Sequence, residues 1–332
     1  MQENKKRFLK EKTILITGGT GSFGSFFVSN IMNNYSNIKK IIVYSRDEFK
    51  QYIMKKKLEN HKLFEKVRFF IGDVRDKDRL QIALRGVDIV IHAAALKQID
   101  TAEYNPTEFV NTNIIGTQNL IECSISENIE KIILVSTDKA CSPANLYGAT
   151  KLCAEKLIIS ANQYAGKRIY SVVRYGNVFN SRGSIFPLFK EQSKSNLLTV
   201  TDAKMTRFNI SLSQAYETVM WSIFNTTGGE IVIPKLPSYA IMDLAKAMNP
   251  TAKIKFIGIR AGEKVHEDLI SDREPGIILE SKNFYVISDE STFHKNKYKG
   301  FSYNIVKKFT YNSGTNKNFM SVKQIKDLVK NI

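Results

Sequence analysis

Short apolar runs alternate with longer amphipathic stretches through the first two-thirds of the chain. Thr13–Thr17, Lys40–Tyr44, Val67–Ile71, Asp88–His92, Lys131–Val135, Tyr170–Arg174 and Glu230–Pro234 are rich in Ile and Val and carry few charges. Strands buried on both faces of a parallel sheet need that composition, because neither face meets water. Between them Phe23–Tyr35, Asp47–Asn60, Asp76–Leu84, Thr107–Glu127, Gly148–Tyr164 and Leu212–Phe224 read as helices. Such alternation predicts right-handed crossovers and an α/β, doubly wound parallel sheet. After Asn177 the rhythm breaks. Ser181–Ser184 and Asn196–Arg207 read as loops, and Tyr311-Asn312-Ser313-Gly314-Thr315-Asn316 as a polar loop before a final helix. The pattern divides the chain into a nucleotide-binding domain, residues 1–178 with about 206–236, and a smaller C-terminal lobe, about 179–205 with 237–332. The lobe is expected to close over the C-terminal edge of the sheet, where open α/β sheets bind their ligands.

The first strand runs into Thr17-Gly18-Gly19-Thr20-Gly21-Ser22-Phe23-Gly24. Glycines at 18, 21 and 24 allow a tight turn, let a pyrophosphate approach the backbone, and let the helix pack close on its strand. The helix N-terminus then offers free N–H groups to phosphate. The second strand ends in Tyr44-Ser45-Arg46-Asp47-Glu48-Phe49-Lys50. An acidic residue at the tip would favour NAD; Ser45 and Arg46 come first here, with Lys50 a helical turn on, and suit the 2′-phosphate of NADP. Gly72-Asp73-Val74 is placed to meet the adenine, although Asp73 reads equally as a helix cap. Ala93-Ala94-Ala95 supply small side chains where the backbone passes close to the cofactor.

The fifth strand leads into Ser136-Thr137-Asp138-Lys139, and Tyr147-Gly148-Ala149-Thr150-Lys151 follows. A helix puts the phenol and the ammonium, four apart, on one face. Lys151 is expected to hold the nicotinamide ribose and to lower the pKa of Tyr147. Tyr147 would then take the proton of a substrate hydroxyl.

Composition narrows the choices. Hydrophobic residues are 43% and charged residues 24% of the 332, as in ordinary globular chains. Cys123, Cys141 and Cys153 form no disulfide framework or C-x-x-C pair, and His61, His92, His266 and His294 no H-E-x-x-H pattern, so no metal is expected. No apolar run is long enough to span a bilayer, and Met1–Lys12 lacks a signal-peptide core, so a cytoplasmic address is the default. The net charge of +17 comes from dispersed lysines, with excess at Lys5–Lys12 and Lys295–Lys330. Without an arginine-rich arm or an aromatic platform motif, nucleic acid is not expected as a partner. The charge reads as a solubilising surface, or as a field drawing in an anionic substrate or an acidic membrane surface.

The glycine loop and the Tyr-x-x-x-Lys pair resemble the extended short-chain dehydrogenase/reductases, a Rossmann-type family. More specific segments resemble the inverting UDP-N-acetylglucosamine 4,6-dehydratases of pseudaminic acid biosynthesis. They are Thr137-Asp138-Lys139, Ala95-Leu96-Lys97-Gln98 and Met205-Thr206-Arg207-Phe208, and the likeness also includes Tyr44-Ser45-Arg46-Asp47-Glu48. The likeness runs to about Glu267. It implies C4 oxidation through Tyr147 and Lys151, with Asp138 and Lys139 as acid and base for loss of the C6 hydroxyl and inversion at C5. Retaining relatives carry Asp-Glu where Asp138-Lys139 stands. The resemblance adds Thr20, Ser22, Phe23, Asn113, Tyr175, Asn177 and Val178 to the cofactor site. For the UDP-sugar it implies Lys97, Thr137, Asn177, Arg182, Thr201, Arg260 and Glu263. The chain departs from the pattern at Asn180, Asn209 and Ala261. A related alternative is a retaining dehydratase or a sugar-nucleotide 4-epimerase. A non-catalytic NADP-binding regulator would have a degraded Tyr/Lys pair, and this one is intact. By analogy with similar sheets, a homo-oligomer is expected.

Overall fold

The computed structural model describes residues 2–181, 183–289 and 302–330. Six parallel strands appear where the apolar runs predict them: β1 (Thr13–Thr17), β2 (Lys40–Ser45), β3 (Val67–Ile71), β4 (Ile89–His92), β5 (Lys131–Thr137) and β6 (Ile169–Tyr175). They lie in the order β3-β2-β1-β4-β5-β6, and the strand Ile231–Pro234 extends the parallel set beyond β6. The chain order reverses between β1 and β4, which opens the crevice where doubly wound sheets bind nucleotides. All five residues of β1 are buried, in keeping with a central strand covered on both faces. Helices Lys77–Leu84, Gly116–Ser126 and Leu146–Ala161 pack side by side, while Ser22–Asn34 packs with Leu212–Asn225. The doubly wound α/β prediction holds.

The chain after Ile231–Pro234 returns to this sheet. Phe284–Ser288 pairs antiparallel with it, Ile277–Glu280 with Phe284–Ser288, and Asn304–Val306 with Ile277–Glu280, giving ten strands. Part of the segment expected in the smaller lobe therefore builds the edge of the large sheet. A separate apolar cluster, including Phe186, Phe189, Leu198, Met205, Leu244 and Ile325, forms a second, smaller core.

Asn196–Arg207 was expected as a loop, and here the expectation fails. Leu197–Val200 is a strand paired in parallel with Lys253–Phe256, and Thr206–Ile210 is the centre of a three-stranded sheet. Both pairings join distant parts of the chain, so neither is visible in a local pattern. The helix expected over Thr107–Glu127 is present with a wide π turn at Val110–Ile115. Such insertions recur at functional sites because they re-aim one side chain without ending the helix.

Candidate active site

A cleft of about 860 Å³ opens along the C-terminal edge of the parallel strands. Gly18 has φ 65, and a Cβ there would sit 2.9 Å from the Ala94 backbone. At Gly24 a Cβ would lie 2.6 Å from the Gly18 carbonyl oxygen. The turn is thus closed to side chains and open to a ligand. Gly18, Thr20, Gly21, Ser22, Phe23 and Gly24 line the cleft, as do Ala93 and Ala95 from the end of β4. Residues at this end fit a dinucleotide: a bare backbone cradle followed by a helix N-terminus.

At the tip of β2, Ser45, Arg46 and Lys50 also line the cleft. Arg46 is half-exposed, 3.5 Å from the Asp73 carboxylate. Asp73 accepts hydrogen bonds from the Arg75 backbone and guanidinium, which hold its carboxyl below the ordinary range against the cost of burial. It is not a helix cap; Asp76 caps the helix by accepting from Arg79 N at 3.0 Å. Asn113, in the π turn, lies behind the wall. Its amide bonds the Leu96 backbone at both N and O and donates to Thr150 Oγ1, pinning the loop after β4 to the helix that carries Tyr147.

The end of β5 brings the chemistry together. Thr137, Lys139, Tyr147 and Lys151 line one stretch of the cleft with Tyr175, Asn177 and Val178. Asn145 caps the helix Leu146–Ala161 by accepting from Gly148 N. That helix start packs so tightly on the turn Asp138–Ala140 that a Cβ on Gly148 would come within 2.1 Å of the Lys139 carbonyl oxygen. Lys139 Nζ lies 3.1 Å from Asp138 Oδ1, 3.1 Å from Asn177 Oδ1 and 3.3 Å from Glu267 Oε1. Burial alone would favour the neutral amine, but the two carboxylates overcome it and hold Lys139 as an ammonium. Asp138 is fully buried beneath it.

The sequence expectation for Tyr147 needs correction. Burial pushes its phenol up to about 12, and the opposing influences are Lys139 and a hydrogen bond with Thr137. Lys151 is not among them. Its Nζ donates to the Val135 carbonyl at 2.9 Å, and burial brings its pKa down to about 8, partly offset by Glu155. The i,i+4 spacing put the two side chains on one face and could not say where the amine would end.

Across the cleft stand Lys97, Thr201, Arg260 and Glu263. Arg260 bridges Asp100 at 3.1 Å and Glu263 at 3.4 Å. Arg182 lies outside the described residues. No group of three His, Cys, Asp or Glu side chains among the described residues could hold a metal ion.

A family profile described as "Polysaccharide biosynthesis protein" matches residues 14–289. A Campylobacter jejuni protein named UDP-N-acetylglucosamine 4,6-dehydratase (inverting) is 46% identical over 329 residues, covering 96% of this chain and 97% of its own. The solved structure of Pen from Bacillus thuringiensis superposes with a TM-score of 0.89 at 36% identity, covering 98% of each chain. A Rickettsia bellii protein named UDP-glucose 4-epimerase is 43% identical over 286 residues, 83% of each chain. The chain is an extended short-chain dehydrogenase/reductase of this polysaccharide-biosynthesis family.

One departure from the family pattern has a local explanation. Asn180 has φ 55, a left-handed conformation that Asn tolerates better than most side chains, so it can stand where a glycine-like residue is usual. Asn209 is buried within Thr206–Ile210, and its Oδ1 has no partner among the described residues. We find no structural reason for Ala261. Sequence reasoning missed Glu267 altogether and used Arg207 only as part of a motif, yet both line the cleft beside Lys139. Only the chain's return from the substrate side brings them there.

Proposed function

We propose that the chain catalyses the NADP-dependent 4,6-dehydration of UDP-N-acetylglucosamine with inversion at C5. The product would be UDP-2-acetamido-2,6-dideoxy-β-L-arabino-hexos-4-ulose. The observation that carries this reading is the Asp138–Lys139 pair at the end of β5, with the amine on the cleft wall beside Tyr147. The 46%-identical Campylobacter relative bears the name of that activity. When bound, NADP supplies the nicotinamide that accepts and returns a hydride. Gly18, Gly21 and Gly24 would hold its pyrophosphate, and Ser45, Arg46 and Lys50 its 2′-phosphate.

Dehydration requires two protons to be taken and two given. The phenolate form of Tyr147, favoured by Lys139 against the cost of burial, takes the first, from the C4 hydroxyl. The resulting ketone acidifies the C5 proton, which the Asp138–Lys139 pair removes. One proton leaves with the C6 hydroxyl as water, and one returns to C5 from the opposite face. Taking one proton and giving two leaves the pair one short, and it regains its starting charge state by accepting the proton that Tyr147 took. A 4-epimerase, the activity named for the Rickettsia relative, needs only Tyr147 and Lys151; it has no use for an ammonium held on the cleft wall by a buried carboxylate. The same holds for a non-catalytic regulator.

Replacing Lys139 with Ala tests the assignment. Turnover of UDP-N-acetylglucosamine should fall by about 10²–10⁴-fold, the range for loss of an acid–base group, while NADP titrates as in the wild type. Unchanged turnover would refute the role.

A further inference from the structure

Glu267 is a buried carboxylate that the reaction above does not use. It lies just before the short strand Asp268–Ile270, which pairs with Tyr311–Asn312, and its backbone is fixed on both sides by Ser313. Its side chain is 3% exposed. One oxygen lies 3.3 Å from Lys139 Nζ and 3.8 Å from Arg207 Nε, and the other has no hydrogen-bond partner among the described residues. An unpartnered buried carboxylate oxygen is costly, by roughly 1–3 kcal/mol or more, unless it serves the site it lines. Arg207 is held in turn by its donation to the Thr206 and Val265 carbonyls, so the Glu267–Arg207 pair forms a rigid backing.

We propose that Glu267 is a positioning residue for this reaction, setting the aim and the charge of the Lys139 amine from the substrate-side region. The proposal rests on the dehydratase reading. It gives the C-terminal part of the chain a share in the chemistry, because Glu267 stands against the Lys139 amine. The charged and titratable groups around that amine are Asp138 on its own turn, Tyr147 from the helix Leu146–Ala161, Arg207 from Thr206–Ile210, Tyr239 from Ser238–Ala240, and Glu267. With Asp138 and Arg207 intact, loss of the Glu267 charge leaves Lys139 easier to deprotonate.

The test compares wild type, Glu267→Gln and Glu267→Asp as NADP-loaded full-length enzymes turning over UDP-N-acetylglucosamine. For Glu267→Gln, kcat should fall on the order of tenfold to a hundredfold with KM within about twofold, as for a misaimed group that does not bind substrate. The ratio of variant to wild-type kcat should fall further as pH rises, because the variant's amine loses its proton sooner. Titration of Lys151 cancels in that ratio; Tyr147, which the Glu267 charge also holds up, contributes a constant factor well below its own range, so the slope is read there. Glu267→Asp keeps the charge, so its ratio should stay flat with pH at a smaller loss of rate. If Glu267→Gln does not fold, Glu267→Asp decides: a lowered, pH-flat ratio upholds the proposal, and an unchanged kcat or a sloping ratio overturns it. A Glu267→Gln ratio that is flat with pH, or a loss confined to KM or to NADP binding, also overturns it. A wild type that forms no 4-keto product sinks the dehydratase reading and this proposal together; a productive wild type beside an unaltered Glu267→Gln sinks this proposal alone.

Discussion

Burial and charge act in opposite directions on Tyr147, and the outcome separates what a motif can say from what a fold decides. Tyr-x-x-x-Lys located the phenol, yet the cation that moderates it is Lys139, and Lys151 reaches for the Val135 carbonyl. Spacing along a helix fixes the face and leaves the reach of a four-carbon side chain open. The cofactor residues were more legible, since a glycine loop acts through backbone shape. Arg46 carries the preference for a 2′-phosphate in this account. Arg46→Ala should weaken NADP binding by about tenfold to a hundredfold, the worth of one or two charge-assisted hydrogen bonds, and leave NAD binding little changed. Calorimetric titration with both cofactors checks it; equal losses would remove Arg46 from the site.

Elements with a strong local pattern formed where expected, and those made by distant pairing did not announce themselves. Leu197–Val200 has one fully buried and one exposed flank, a pattern too short to separate from a loop until Lys253–Phe256 lies beside it. The helix Leu146–Ala161 was legible from its period, but its contact with the turn Asp138–Ala140 was not. That contact makes a prediction. Gly148→Ala inserts a methyl where only 2.1 Å separates it from the Lys139 carbonyl oxygen, so the turn or the helix must shift. Displacement of about 1 Å at reacting groups costs on the order of 10²-fold in rate. Steady-state kinetics should show that loss in kcat, with NADP affinity within a few-fold of wild type.

On the scale of the molecule, the parallel sheet, the Tyr147 helix and the C-terminal segment meet at Arg174. Its guanidinium binds Glu155 at 2.6 Å and also Glu274, and donates to the Leu269 carbonyl, all in the interior. Glu155 accepts from Ser136 at 2.6 Å, so the trio also braces the end of β5. Arg174→Leu would leave two carboxylates buried without their cation and should destabilise the protein by about 3–5 kcal/mol, read from the denaturant midpoint. An unshifted midpoint would mean that the trio is not a structural junction. No helix among the described residues is long and apolar enough to cross a membrane. The net charge of +17 would suit the anionic nucleotide sugar proposed as substrate.

In the proposed reaction an amine and a carboxylate at the end of β5 remove and return the proton next to a transient ketone. Incubation of the purified protein with NADP and UDP-N-acetylglucosamine in heavy water, followed by NMR of the product, addresses it directly. The expected product is a 4-keto-6-deoxy sugar carrying solvent deuterium at C5 in the inverted configuration. A C4 epimer with no deuterium at C5, or a keto sugar with C5 retained, would contradict it.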